Sequence, residues 1–358
     1  MNLPLLQSHA WEKLQADLGE ETIFEETDDY TFLGIVKHSR FGNYLYLPYG
    51  PYLRNKNAAN ACFKALQSLS EAKNLIFARI EPQSPENAEF LLSQPNCLKT
   101  KDLNPADTWV LDLSAKKSTE TSKNPSETDE KFEKNTENSP ETALIALKQK
   151  LPSRLIRYYK NREKNGLKIE TSKNLDDTKY LVDLQSKLAK TKKISIFSEK
   201  YLKTELKQPF ATLYLVKYHQ VNNPSEVTPE KTSENSTETE LEDRVIAAGL
   251  VFDDEKTRYN LQGAQDEDFR RTHATGILTI QLILDAKAKG LEKFDFWGIA
   301  PDDAPESHPW AGFTAFKKSF DGKPVSYAGT HDLIFDRKKY RLYKIARKAN
   351  RTFRKILH

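Results

Sequence analysis

The chain is expected to be an α/β protein built on mixed sheets, and three observations lead there. Compact apolar runs at 30–36, 43–47, 75–80 and 109–113 have the length and β-branched or aromatic character of strands. Between them, Ala58, Ala61, Cys62, Ala65, Leu66 and Leu69 recur at helical spacing over 57–73. A helix between strands is the α/β pattern. It resumes after residue 140, and 358 residues leave room for two ordinary domains.

Two stretches interrupt the pattern. Residues 115–140 are Lys, Ser, Thr, Glu, Asn and Pro with only Ala115 and Phe132 apolar, and 221–243 share the composition. Such segments bury too little surface to offset their ordering entropy. Both are expected to be disordered loop insertions, and the repeated Asn124-Pro125-Ser126-Glu127 and Asn223-Pro224-Ser225-Glu226 suggest a related origin. The expected organisation is therefore domain 1 over 1–114, completed by a C-terminal helix at 331–358, and domain 2 over 141–330.

The formal net charge of +4 conceals a division, because without the two insertions the body carries 49 basic against 38 acidic residues. That balance suits an acidic partner such as tRNA, a nucleotide-linked substrate or an anionic lipid surface, or else it is a lysine-rich solvated surface. Cys62 and Cys97 have neither metal-type nor disulfide-framework spacing. The N-terminus has no charged leader before an apolar core, and no run approaches a membrane span. A soluble, cytoplasmic protein without a metal site is expected.

Taken in order, residues 2–18 form an amphipathic helix with Leu5, Leu6, Trp11, Leu14 and Leu18 on its apolar side. Lys37, His38 and Arg40 cluster at the turn after the first strand. Residues 140–170 hold a helical stripe that Pro152 should break, with Arg154, Arg157 and several lysines on its other side, a phosphate-contacting or simply solvated face. A helix at 180–190 and strands at 210–218 and 245–253 follow, the second insertion forming the hairpin loop between the strands. Tyr259 lies on the next strand. Arg270, Arg271 and His273 precede a helix at 277–289, where a glycine-rich loop would cradle a pyrophosphate; only Gly276 is present, which favours an anion but is poor for CoA.

The most informative stretch is 294–330, FDFWGIAPDDAPESHPWAGFTAFKKSFDGKPVSYAGT. An aromatic strand ends at Gly298, and Pro301, Pro305 and Pro309 stiffen the loop. Trp310, Phe313, Phe316 and Phe320 then form one apolar stripe, expected to be buried, with Lys317 and Lys318 beside it. A strand at 326–335 and a basic helix at 336–358 close the chain.

DFWGIAP followed by GFTAFKKSFDGKPVSYAG resembles the C-terminal signature of the Fem-type (FemX/FemA/FemB) peptidoglycan bridge aminoacyltransferases. The Gln7-Ser8 pair and the turn Pro48-Tyr49-Gly50-Pro51-Tyr52 are similar to other parts of that family. The resemblance implies two tandem acetyltransferase-like (GNAT) domains. It also implies transfer of an amino acid from aminoacyl-tRNA to the side-chain amine of a cell-wall precursor, either UDP-MurNAc-pentapeptide or lipid II, without a cofactor. Peripheral contact with the inner membrane face follows from the lipid-linked acceptor. By residue, the resemblance implies that Lys37 contacts the nucleotide-linked precursor, that Tyr259 lines the precursor site, and that Lys200 and Tyr201 are the local candidates for gripping it. Arg270 and Arg271 are candidates for substrate anions. Phe316 and Lys317 match a phenylalanine–lysine pair at the transferred ester, with Lys318 as the alternative if the register differs by one. An arginine expected between 163 and 243 is absent. An acyl-CoA-dependent transferase and a non-catalytic module binding tRNA or an anionic surface are the rival readings.

Overall fold

The computed structural model describes residues 3–114, 139–192, 196–219 and 243–356. The segments expected to be disordered, 115–140 and 221–243, lie almost wholly outside those residues. The chain divides into two compact units, one formed by Met1–Thr108 and Val325–His358, the other by Trp109–Pro324.

The first unit opens with a 3-10 turn, Leu5–Gln7, and helix α1 (His9–Asp17), so the expected single helix is broken at Ser8. Ser8 is extended and its hydroxyl accepts from Trp11 N–H, the side-chain cap that starts α1. The sheet has seven strands: β1 (Glu21–Glu26), β2 (Tyr30–Lys37), β3 (Asn43–Leu47), β4 (Tyr52–Leu53), β5 (Leu75–Ile80), β6 (Cys97–Lys99) and β14 (His331–Ile334). Their order is β1-β2-β3-β5-β14-β6, with β4 beside β2. β3 and β5 run parallel, joined by helix α2 (Ala58–Lys73), as a crossover connection requires. Phe32, Leu45, Leu47, Cys62, Leu66 and Ala78 form the core over α2. Ile76, Phe77, Ile334, Tyr340 and Tyr343 pack the opposite face, the last two from the C-terminal helix α10 (Arg337–Ile356). The unit also holds the one-turn helix α3 (Glu89–Leu92).

The second sheet has the order β13-β7-β12-β11-β10-β9-β8. Its strands are β7 (Asp107–Asp112), β8 (Leu167–Ser172), β9 (Ala211–Tyr218), β10 (Arg244–Asp253), β11 (Thr257–Gln265), β12 (Lys293–Gly298) and β13 (Lys323–Ser326). The strand expected at 109–113 to close the first half therefore lies in the second sheet. Leu111 and Leu113 are fully buried in the second core with Phe294, Ile277 and Ile283, and that apolar environment decides the side to which the strand belongs. Pro152 breaks the basic stretch, as its missing N–H requires, into α4 (Pro140–Leu147) and α5 (Ser153–Lys160). Helices α6 (Thr178–Lys192) and α7 (Glu199–Leu206) follow. Helix α8 (Ala274–Ala288), ten of whose fifteen residues are buried, packs one face of the sheet, and α9 (Ala311–Lys318) follows β12. Two mixed sheets in tandem α/β units are the predicted fold class.

Candidate active site

The site is built at the end of β12. Phe294 and Phe296 are both buried in the core beneath α8, and Phe296 meets Phe320. Alternation along the strand sends Asp295 to the other face, where it is buried as well. Its Oδ1 accepts the N–H of Trp297 at 2.7 Å, and Trp297 adopts φ +65°, a left-handed conformation unusual for a bulky residue. The chain turns there and presents the carbonyl of Gly298. Burial pushes the Asp295 carboxyl up to about 7.

β11 and β12 are parallel, and their register runs from Thr257↔Lys293 to Tyr259↔Asp295. Both strands continue beyond that pair, β11 to Gln265 and β12 to Gly298, so the sheet opens at Tyr259 and Asp295. Tyr259 shares the face of Asp295. Its hydroxyl donates to Asp254 at 2.8 Å, and its ring meets Trp297 edge-on at 6.2 Å.

Lys317 enters from α9. Its ammonium donates to Gly298 O at 2.6 Å, while Ala300 N–H donates to Thr314 Oγ1 at 2.9 Å, so helix and strand end are pinned at two points. Burial draws the Lys317 ammonium down to about 8, and the charge of Asp295 opposes that fall. Phe316 packs against Phe320 and the core. Lys318 turns outward to Asp302 at 2.9 Å. Of the two lysines, only Lys317 reaches the strand end. The predicted buried stripe is half right. Phe320 is fully buried and Phe316 partly, but Trp310 is 39% exposed and Phe313 47%. The stripe is therefore covered toward the C-terminal end of the eight-residue helix and stands in solvent at its start.

The remaining predicted residues lie on other elements. Lys37 lies in the first unit, at the end of β2, paired with Glu20 at 2.7 Å. Lys200 is exposed on α7, and Tyr201 stacks on Phe197 with centroids 4.8 Å apart. Arg270 and Arg271 are exposed on the 3-10 turn before α8. His273 occupies the N-cap position of α8 with φ +55°, stacked on Tyr158 at 4.2 Å. Arg154 lies over the same Tyr158 ring and reaches His273 Nε2 at 3.5 Å, so this end of α8 is a cationic surface. Gly276 lies inside α8 rather than in a loop before it, and a Cβ there would come within 2.6 Å of Leu155 Cδ2, so that side chain of α5 would have to shift.

Sequence inspection missed three polar groups on the Asp295 face. Asp295 itself lay inside an aromatic run that reads as a plain buried strand. Gln262, three residues past Tyr259, donates from Nε2 to Glu205 Oε2 at 2.6 Å. Glu205 is fully buried, and burial pushes its carboxyl up to about 8. A glutamate in the amphipathic stretch EKYLKTEL carries no sign of burial, so no sequence signal could have found it. Among the described residues, no three His, Cys, Asp or Glu side chains are grouped so as to hold a metal ion.

Fold and site together define a tandem α/β protein with a lysine fixed at the opening between two strands. Over 95% of its length the chain matches the crystal structure of FemX, with a TM-score of 0.70, 15% identity and 94% of that chain covered. A second match is the C-terminal DUF2156 domain assigned to a lysylphosphatidylglycerol synthetase from Agrobacterium fabrum. It has a TM-score of 0.52 and 12% identity, covering 95% of this chain and 92% of that one. At such identities the likeness is one of fold. No curated protein matches in sequence. Residues 174–348 match the model of the FemAB family, a stretch that includes Tyr259, Asp295 and Lys317, and over it the chain is similar to that family.

Proposed function

We propose that this protein is an aminoacyltransferase that moves an amino acid from aminoacyl-tRNA to the side-chain amine of a peptidoglycan stem peptide, forming an interpeptide bridge. One observation carries the reading: within the FemAB-matched stretch, a half-buried lysine is fixed at the opening between two parallel strands, beside a buried carboxyl. The cationic surface at the start of α8 supports an anionic donor.

The aminoacyl ester is already activated, so the protein has to align the reactants and stabilise the developing oxyanion. In this reading the acceptor amine attacks the ester carbon, and a C–N bond replaces the C–O bond to ribose. The ribose oxygen leaves with a proton given up by the amine. Lys317 donates to the tetrahedral oxyanion; one of its N–H groups is held by Gly298, which fixes the direction of the others. Asp295 favours the charged form of Lys317 without approaching to ion-pair distance. Phe316 seats the helix, and Tyr259 lines the opening. Lys37, Lys200, Tyr201, Arg270 and Arg271 are assigned to substrate binding, and Lys318 to the surface. Donor and nucleotide-linked acceptor place the reaction in the cytoplasm. Among the described residues no helix is long and apolar enough to cross a membrane, so a lipid-linked acceptor would be met at the membrane surface.

The test mixes purified protein, UDP-MurNAc-pentapeptide or lipid II, and total tRNA charged with labelled amino acids, and follows the acceptor's mass. A gain of one or more amino acid residues with wild type is the expected result. Loss of a preorganised oxyanion donor costs on the order of 10²–10³ in rate, so Lys317→Ala should fall by that factor. No product with either acceptor, tRNA charging being confirmed, would sink the reading.

A further inference from the structure

The exposed aromatics of α9 have no part in the chemistry just described, yet they stand on the same helix as Lys317. Phe313 and Lys317 are four residues apart, neighbours on one face with about 5–6 Å between β-carbons. Trp310, at the N-cap of the helix, precedes Phe313 by three residues and continues the same stripe. Neither ring is needed for the core, which Phe316 and Phe320 close from the other end of the helix. Trp310 is nonetheless held in place. Its backbone N–H donates to His308 Nδ1 at 3.1 Å, its ring stands edge-on to the His308 imidazole at 5.8 Å, and its carbonyl accepts Thr314 N–H at 2.8 Å. Two large rings kept in solvent by a fixed helix, in line with a lysine, form a stacking surface.

We infer that Phe313 and Trp310 are a stacking platform for the last two unpaired bases of the tRNA donor's 3′ end. The inference rests on the aminoacyl-tRNA reading above and names how that donor is held. With the ester at Lys317, one turn of helix back to Phe313 is the span of a single ribose between its ester oxygen and its base. The next turn brings Trp310 under the following base. Single-stranded RNA is commonly held in this way, because every base offers a ring face whatever its identity. Lys318 stands on the same helix as Phe313, and its charge, shared with Asp302, is the positive group at hand for the phosphates between those bases.

The test uses Trp310→Leu, Phe313→Leu and the ring-keeping Phe313→Tyr in the full-length protein. KM is measured separately for charged tRNA and for the acceptor, and a fluorescent CCA trinucleotide is titrated into each variant. Base stacking is worth enough that each leucine variant should raise the donor KM and weaken trinucleotide binding roughly five- to a hundredfold. The acceptor KM should stay unchanged, and Phe313→Tyr should behave as wild type. An unchanged donor KM overturns the inference, as does a shift confined to the acceptor KM. Weaker binding of the leucine variants to phosphatidylglycerol vesicles, with the donor KM intact, would overturn it in favour of a lipid-facing role. If wild type makes no product at all, the transferase reading fails, and the trinucleotide titration then decides the platform alone: binding lost in the leucine variants supports it, equal binding overturns it.

Discussion

Burial decides what Lys317 and Asp295 are able to do. A lysine brought down to about 8 is still mostly an ammonium at pH 7, yet it is close enough to neutrality for a neighbouring charge to matter. If the cation is the active form, the turnover rate should hold at neutral pH and fall as pH rises through about 8. Lys317→Arg, which stays charged, should remove that limb while losing rate through misplacement. Asp295 raises the lysine's affinity for its proton, so Asp295→Asn should move the alkaline limb to lower pH; a limb that stays put would mean the two groups are uncoupled. Glu205 offers a stability test. Its carboxyl is held near 8 in the folded state against an ordinary value of ~4.3. The folded protein thus binds more protons between those values, and this group's contribution declines as pH rises through that window. Glu205→Gln cannot titrate. Its melting temperature should gain on wild type between pH 5 and pH 8, as followed by scanning calorimetry.

At the scale of elements, single buried polar side chains set how pieces of chain meet. Gln7, read as part of a family-like opening, ties the first turn to the sheet. Its Nε2 donates to Pro48 O at 2.7 Å, and its Oε1 accepts Leu33 N–H at 2.9 Å. Gly50 lets the turn come this close, since a Cβ there would lie 2.3 Å from Gln7 Oε1. Gln7→Leu strands a buried amide and a carbonyl, each worth about 1–3 kcal/mol, and should lower stability by about 2 kcal/mol or more in urea unfolding. Stability within 0.5 kcal/mol of wild type would show that Gln7 is not needed there. The same scale explains the stripe on α9. Periodicity placed four aromatics on one face but could not show that only the C-terminal part of that face is covered.

For the whole molecule, the C-terminal residues belong to the unit that the N-terminal residues begin. β14 sits between β5 and β6, and Asp332 on it receives Arg79 through two bonds of 2.7 and 2.9 Å, both partners being buried. Tyr340 adds its hydroxyl to Asp332 at 2.8 Å. Removing one partner of such a pair leaves an uncompensated buried charge, so Asp332→Ala should destabilise the protein by about 3–5 kcal/mol, measured by chemical denaturation. Truncation after Pro324 takes out an interior strand of the first sheet. The first unit should then be open to limited proteolysis, while a resistant first unit would contradict the assignment of β14.

The sequence by itself determined most strands and helices, the break at Pro152 and the helical stripe that sets Phe316 beside Lys317 and Lys318, because periodicity and proline are local signals. It also carried the Fem-type resemblance in the run around DFWGIAP. Only the tertiary structure decided that 109–112 joins the second sheet, that Lys317 rather than Lys318 reaches Gly298, and that Asp295 and Glu205 are buried acids. It also decided that Trp310 and Phe313 face water. The reason is common to all four: each depends on which surface another part of the chain covers, and that is settled by contacts between residues tens or hundreds of positions apart.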